Sequence, residues 1–217
     1  MSRKTALIDF DGTLVDSMPY WYSLPMMTRS GERPPELTGY PDPVRSRPLW
    51  EPAEYSASFR PADTLEELGL LRDKMMRDHY RYDISLKEGA LSLLRLFREC
   101  GMSVVLFSAT RRYLLLPAVE HFGLNELLDA VITEGEIGTK HEPETYNALA
   151  VRFGCRPSDM LLVEDTLPNL RAAKSLGLAT VGVYDHSQRE RWPVLSAEAD
   201  VCLPSFADLG PLRALLS

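Results

Sequence analysis

The chain has 217 residues, of which 45% are hydrophobic and 25% charged, and a formal net charge of −7. That length suits one domain of ordinary size, or a core domain carrying a small insertion. The acidic balance argues against a nucleic-acid polymer as partner, because phosphate backbones need a basic footprint. No apolar run approaches the roughly 20 residues that span a bilayer. Met1-Ser2-Arg3-Lys4 leads straight into an apolar segment, which leaves no room for a cleaved leader. Three cysteines (Cys100, Cys155 and Cys202) are odd in number and show no metal-ligand spacing. Cys100 and Cys155 lie beside predicted helix ends and are expected to be packing residues. The expected location is cytoplasmic.

Thr5-Ala6-Leu7-Ile8 is short and apolar, as a strand covered on both faces should be. Asp9-Phe10-Asp11-Gly12-Thr13 follows, with Gly12 placed for a sharp turn. Residues i and i+2 of an extended strand point to one side, so Asp9 and Asp11 are expected to face one cavity. From Met18 to Ala62 the composition shifts: nine of the 16 prolines fall there, with seven aromatics. So much proline excludes long helices, and so many aromatics argue against disorder. Asp63-Thr64-Leu65-Glu66 reads as a capping box opening a helix that runs to about Tyr82.

Gly89 to Cys100 reads as an amphipathic helix stopped by Gly101. A strand over Ser103–Phe107 and a helix ending at Phe122-Gly123 come next. Ala130–Thr133 is a strand, and Gly135–Thr139 is expected to be a flexible loop. Pro143 opens a helix to Phe153, where a first-turn proline costs nothing. Met160–Val163 is a strand, Leu167–Leu176 a helix, Ala179–Val183 a strand and Val201–Leu203 a weaker one. Such alternation predicts an α/β fold with a doubly wound parallel, Rossmann-like sheet. Residues 1–17 and 86–217 would form that core, and residues 18–85 an inserted proline-rich cap.

Open α/β sheets bind ligands at the carboxyl ends of their strands, and further signals fall there. Ser108-Ala109-Thr110-Arg111 offers a hydroxyl and backbone N–H groups leading toward a helix, suited to an anion. Lys140 precedes a helix, and Glu164-Asp165 ends the Met160–Val163 strand. Asp9, Asp11, Glu164 and Asp165 at one edge call for a hard divalent cation with oxygen ligands, for which Mg²⁺ is the natural occupant. The hydroxyl, amides and lysine beside them suit a phosphoryl group, so the set reads as a phosphoryl-transfer site with a carboxylate nucleophile.

These residues resemble the haloacid dehalogenase-like hydrolase superfamily. Its DxDGT motif stands as Asp9 to Thr13 and its second-motif Ser/Thr as Ser108. The lysine motif is Lys140-His141-Glu142-Pro143-Glu144-Thr145-Tyr146, with His141 where proline is usual, and the fourth motif is Glu164-Asp165. The resemblance implies a mainly helical cap between the first and second motifs. It also implies that Asp9 attacks phosphorus to form an aspartyl-phosphate, while Asp11 acts as acid and then base. Thr13, Ser108, Ala109, Arg111 and Lys140 would contact the phosphoryl group or substrate. Asp9, Asp11 (through its carbonyl), Glu164 and Asp165 would serve Mg²⁺.

The reading is a Mg²⁺-dependent phosphatase of a small phosphorylated metabolite. A phosphomutase, beta-phosphoglucomutase-like, shares every catalytic group. A carbon–halogen hydrolase needs neither Asp11 nor a metal. A phosphonate hydrolase needs a cap lysine, which the stretch from Met18 to Asp73 lacks. A non-catalytic regulatory module should have lost one of Asp9, Asp11, Lys140 or Asp165. Five cap arginines (Arg29, Arg33, Arg45, Arg47 and Arg60) are candidates to read the leaving group.

Overall fold

A computed structural model describes residues 4–21 and 73–217. The five cap arginines, most of the proline-rich stretch and the start of the helix predicted from Asp63 lie outside the described residues. The chain falls into two compact units, Met1–Asp16 with Leu86–Ser217, and Ser17–Ser85.

The first unit is built on six parallel strands: β1 Thr5–Ile8, β2 Ser103–Ser108, β3 Ala130–Thr133, β4 Met160–Glu164, β5 Ala179–Val183 and β6 Val201–Leu203. Their order is β3-β2-β1-β4-β5-β6, which puts β1 at the centre. Seven helices accompany them: α1 Ala90–Glu99, α2 Arg112–His121, α3 Glu134–Ile137, α4 Pro143–Phe153, α5 Leu167–Ser175, α6 Trp192–Glu198 and α7 Gly210–Leu216.

The strands are continuous apolar runs because both faces are covered. Leu7, Val105, Phe107, Ile132 and Leu162 meet Tyr146, Leu149 and Ala150 of α4 and Ala172 and Ala173 of α5 in one cluster. Leu93, Leu94, Leu96 and Phe97 bury one face of α1, and Leu114, Leu115, Ala118 and Val119 that of α2. Each such side chain taken fully from water stabilises the fold by about 1.5–3 kcal/mol. Cys155 packs against the first cluster as expected. Cys100 does not: it is the exposed residue closing α1, so proximity to a helix end did not mean packing.

Strand and helix bounds follow the apolar runs closely, with three differences. Gly135–Thr139 is not a flexible loop, because Glu134–Ile137 forms a turn of helix. The Glu136 carboxylate reaches back to accept from the Thr133 N–H at 2.8 Å, which closes that turn. The second and fourth strands each run one residue further than predicted, to Ser108 and Glu164, and Thr166 is the residue that precedes α5. Helices α6 and α7 are additional; each is short and carries proline near its start, and so shows little periodicity.

In the second unit, residues 18–21 are helical and a helix over 73–78 widens into a π turn at His79–Asp83. Tyr20 stacks on His79 with ring centroids 3.7 Å apart, and the Trp21 indole donates to the Tyr80 hydroxyl at 2.8 Å. No helix among the described residues is long and apolar enough to cross a membrane.

Candidate active site

Register decides which strand ends meet. Ile8 of β1 lies beside Leu106 of β2 and Val163 of β4, and the Asp9 N–H donates to the Val163 carbonyl at 3.0 Å. Asp9 therefore emerges next to Glu164, with Ser108 on its other flank. The backbone then turns: Leu14 and Val15 N–H both bond the Phe10 carbonyl, at 2.9 and 3.0 Å. Gly12 takes φ 79°, a conformation that would cost a side-chain-bearing residue about 1–2 kcal/mol.

Because β1 ends at Ile8, strand alternation does not carry through to Asp11, and the turn aims the two acids at different partners. Asp9 is buried and its Oδ1 lies 2.6 Å from the Lys140 ammonium. Asp11 is half-buried and accepts from Thr110 Oγ1 at 2.7 Å and Ser108 Oγ at 3.4 Å.

Lys140 sits at the centre of the buried half. It is 2% exposed and lies 2.5 Å from Glu164 Oε2 as well as touching Asp9. Its backbone is held at both ends: its N–H donates to Glu134 at 2.6 Å, and its carbonyl accepts from the buried Tyr146 hydroxyl at 2.7 Å. Glu164 is saturated, since Oε1 accepts from the N–H groups of Asp165 and Thr166 and from Thr166 Oγ1, and Oε2 from Asn169 at 3.2 Å. Thr13 Oγ1 bridges Asp165 at 3.1 Å and Asp9 at 3.4 Å.

The charges are strained accordingly. Burial, and then the Glu164 charge, push the Asp9 carboxyl up to about 7 against the pull of Lys140. Burial followed by Glu164 and Asp9 raises Asp165 well above the usual carboxylate range. Burial alone would raise Glu164 and depress Lys140, but the Lys140 charge outweighs burial at Glu164, and Asp9 and then Glu164 outweigh it at Lys140. Glu164 is therefore low and Lys140 stays protonated well above the usual lysine range.

One ammonium thus touches two of three buried carboxylates. Oxygens of Asp9, Glu164 and Asp165 lie within 4.8 Å of one another, and Asp165 Oδ2 is a buried oxygen without a hydrogen-bond partner. An all-oxygen donor set with an orphaned carboxylate oxygen fits a hard divalent cation.

Most of the residues singled out from sequence therefore converge. Asp9, Thr13, Lys140, Glu164 and Asp165 form one network of hydrogen bonds and ion pairs, and Asp11 and Ser108 form a second, with the Asp11 charge felt at Asp9. Ala109 is exposed at the same edge. Arg111 is exposed at the start of α2, and no hydrogen bond or ion pair among the described residues ties its side chain to the acids. His141 is exposed beside the buried lysine. Sequence reasoning assigned no individual role to Thr110, Glu134 or Asn169. Only the hydroxyl at Thr110, two residues past Ser108, gave a signal that could have found any of them.

A parallel α/β core with acids and hydroxyls at adjacent strand ends, and a buried lysine brought to them from the segment before α4, defines a Rossmann-like hydrolase. The chain belongs to the haloacid dehalogenase-like hydrolase family, which it matches over residues 6–183. Phosphoglycolate phosphatase of Salmonella typhimurium is 28% identical over 234 residues, covering 95% of this chain and 91% of that one. Validoxylamine A 7'-phosphate phosphatase of Streptomyces hygroscopicus subsp. limoneus is 26% identical over 216 residues, with 95% of each chain covered. In fold, the chain resembles a solved structure from Thermotoga maritima at 20% identity and TM-score 0.73, covering 98% of this chain and 99% of that one.

Proposed function

We propose that this hydrolase cleaves the phosphate monoester of a small phosphorylated metabolite through an aspartyl-phosphate at Asp9. The observation that carries the reading is the Lys140 ammonium wedged between Asp9 and Glu164. It holds a buried carboxylate in place, partly neutralised, at the edge where the sheet binds ligands. The phosphatase relatives support the reaction class.

In the first step an Asp9 oxygen attacks phosphorus, and the bond from phosphorus to the ester oxygen breaks. Asp11 gives its proton to the departing alkoxide. In the second step Asp11 takes a proton from water, whose oxygen attacks phosphorus and releases the Asp9 carboxylate and inorganic phosphate. Asp11 holds that proton at Oδ1, while its Oδ2 accepts from Thr110 and Ser108, which orient the carboxyl group. Lys140, Ser108 and the Ala109 amide offset charge on the phosphoryl oxygens. Asp9, the Asp11 carbonyl and Asp165 would hold Mg²⁺, which supplies further positive charge to the transferring phosphoryl group. Glu164, saturated by Lys140 and four further hydrogen bonds, serves chiefly to hold the lysine. Arg111 and the residues 18–85 are assigned to the substrate side.

The test is inorganic phosphate release across a panel of phosphorylated metabolites with Mg²⁺, using the full chain. Multiple turnovers releasing phosphate support the reading. Interconversion of phosphate isomers without release would make the enzyme a mutase, and no turnover at all would overturn the assignment.

A further inference from the structure

Outside this network, Lys87 is the second residue after the chain re-enters the first unit at Leu86. Its ammonium has three protons to donate and meets three acceptors: the Gly12 carbonyl, the Tyr184 carbonyl at 3.0 Å and the Asp185 carboxylate at 2.9 Å. Its own backbone N–H donates to the Leu14 carbonyl at 2.8 Å. One residue therefore grips the turn after β1 from two sides.

Each anchor is itself fixed. Asp185 is buried and accepts from the Ser187 N–H at 2.9 Å. The Tyr184 N–H bonds the Leu203 carbonyl at 3.0 Å, joining the end of β5 to β6. Leu86 pairs with Val15 across an antiparallel bridge. The turn carries the chemistry: the Gly12 carbonyl belongs to the planar peptide that ends at Thr13, and the Thr13 hydroxyl spans Asp165 and Asp9.

We infer that Lys87 is a positioning residue, which sets the Gly12–Thr13 peptide and through it the Thr13 bridge between Asp9 and Asp165. Two of its three acceptors are backbone carbonyls, one in the Gly12 turn and one just past the end of β5, which distinguishes it from an ordinary ion pair. Arginine is not an equivalent, because its planar fork does not aim three donors as a tetrahedral ammonium does.

This inference rests on the proposed hydrolysis for its kinetic arm alone. Full-length wild type and Lys87→Met are compared with p-nitrophenyl phosphate and Mg²⁺, together with amide hydrogen exchange of peptides spanning Asp9–Asp16. The expected result is a kcat lowered about 10-fold with KM changed less than about 2-fold, the pattern of a misplaced reacting group. Exchange over Asp9–Asp16 should quicken, and Lys87→Arg should not restore kcat. Arg98→Met, which removes an ion pair with Asp129 elsewhere in the unit, should leave kcat and this exchange unchanged.

Should Lys87→Met fail to fold, Asp185→Asn loosens the lysine without removing it and should show the same pattern with a loss of about 3-fold. Unchanged kcat and exchange, full rescue by arginine, or a rise in KM at constant kcat would overturn the inference. If wild type releases no phosphate, the proposed function fails, and the exchange measurement alone decides whether Lys87 holds the turn.

Discussion

Two buried ionisable clusters in this molecule solve the same problem in opposite ways. At the strand ends of the first unit, Glu164 and Lys140 keep their charges in contact at 2.5 Å, while Asp9, 2.6 Å from the same ammonium, is pushed up to about 7. In the second unit, His79 is stacked on Tyr20 and burial pushes it down to about 4, so it stays neutral. Charge retained under burial is costly and is kept where an adjacent group needs it. The neutral ring simply packs. The contrast marks the first cluster as chemical and the second as structural.

Replacing the proposed nucleophile should have the largest effect. Asp9→Asn should lower kcat by about 10³-fold or more, since an amide is a far poorer nucleophile. Its melting temperature in metal-free buffer should hold or rise, because one of three crowded carboxylates is gone. A well-folded Asp9→Asn protein retaining most of its activity would remove the aspartyl-phosphate.

Lys140→Met breaks the pairing itself. It should lower kcat by about 10²-fold or more and cost about 3–5 kcal/mol at pH 8, as uncompensated buried charge does. Chemical denaturation checks the second figure. A variant as stable as wild type would mean that the ammonium holds nothing.

Metal should act through two of those acids, Asp9 and Asp165. Mg²⁺ binding only the folded state should stabilise by about 2.7 kcal/mol at a hundredfold excess over Kd. Asp165→Ala should blunt the shift in thermal scans, and full activity in excess EDTA would contradict the metal.

The smallest effect belongs to the neutral cluster. His79 titrates at about 4 when folded and near 6.5 when unfolded, so the unfolded chain binds the extra proton between those values. Stability should therefore fall as pH drops through that window. His79→Phe keeps the ring stack and should remove on the order of 2 kcal/mol of that loss, with activity at pH 7 unchanged. A wild-type curve that superimposes on the variant's would show that the histidine is charged in the folded protein.

The sheet was legible in the sequence because a buried parallel strand must be an uninterrupted apolar run, and six such runs are bounded by glycine, acids or hydroxyls. The site was legible for the same reason: Asp9, Ser108 and Glu164-Asp165 are the polar residues at which those runs stop. What hid was long-range or compensating. Thr110 finds Asp11 and Lys87 finds Tyr184 only once distant strand ends are adjacent. The turn at Glu134–Ile137 depends on Glu136 folding back to Thr133, which outweighed the two glycines nearby. Tyr146 was legible as a motif letter but not as the group that caps the Lys140 carbonyl.

The central position of β1 also fixes when this enzyme can come alive. The strand that delivers Asp9 is synthesised first, yet Ile8 waits for Leu106 on one flank and for Val163 on the other. Pairings so distant along the chain form late. On the ribosome, the proposed nucleophile therefore emerges long before Lys140 and Glu164, the groups packed around it. Until most of the chain has left the exit tunnel, Asp9 is an ordinary aspartate in water, and hydrolysis begins only when β4 closes beside it.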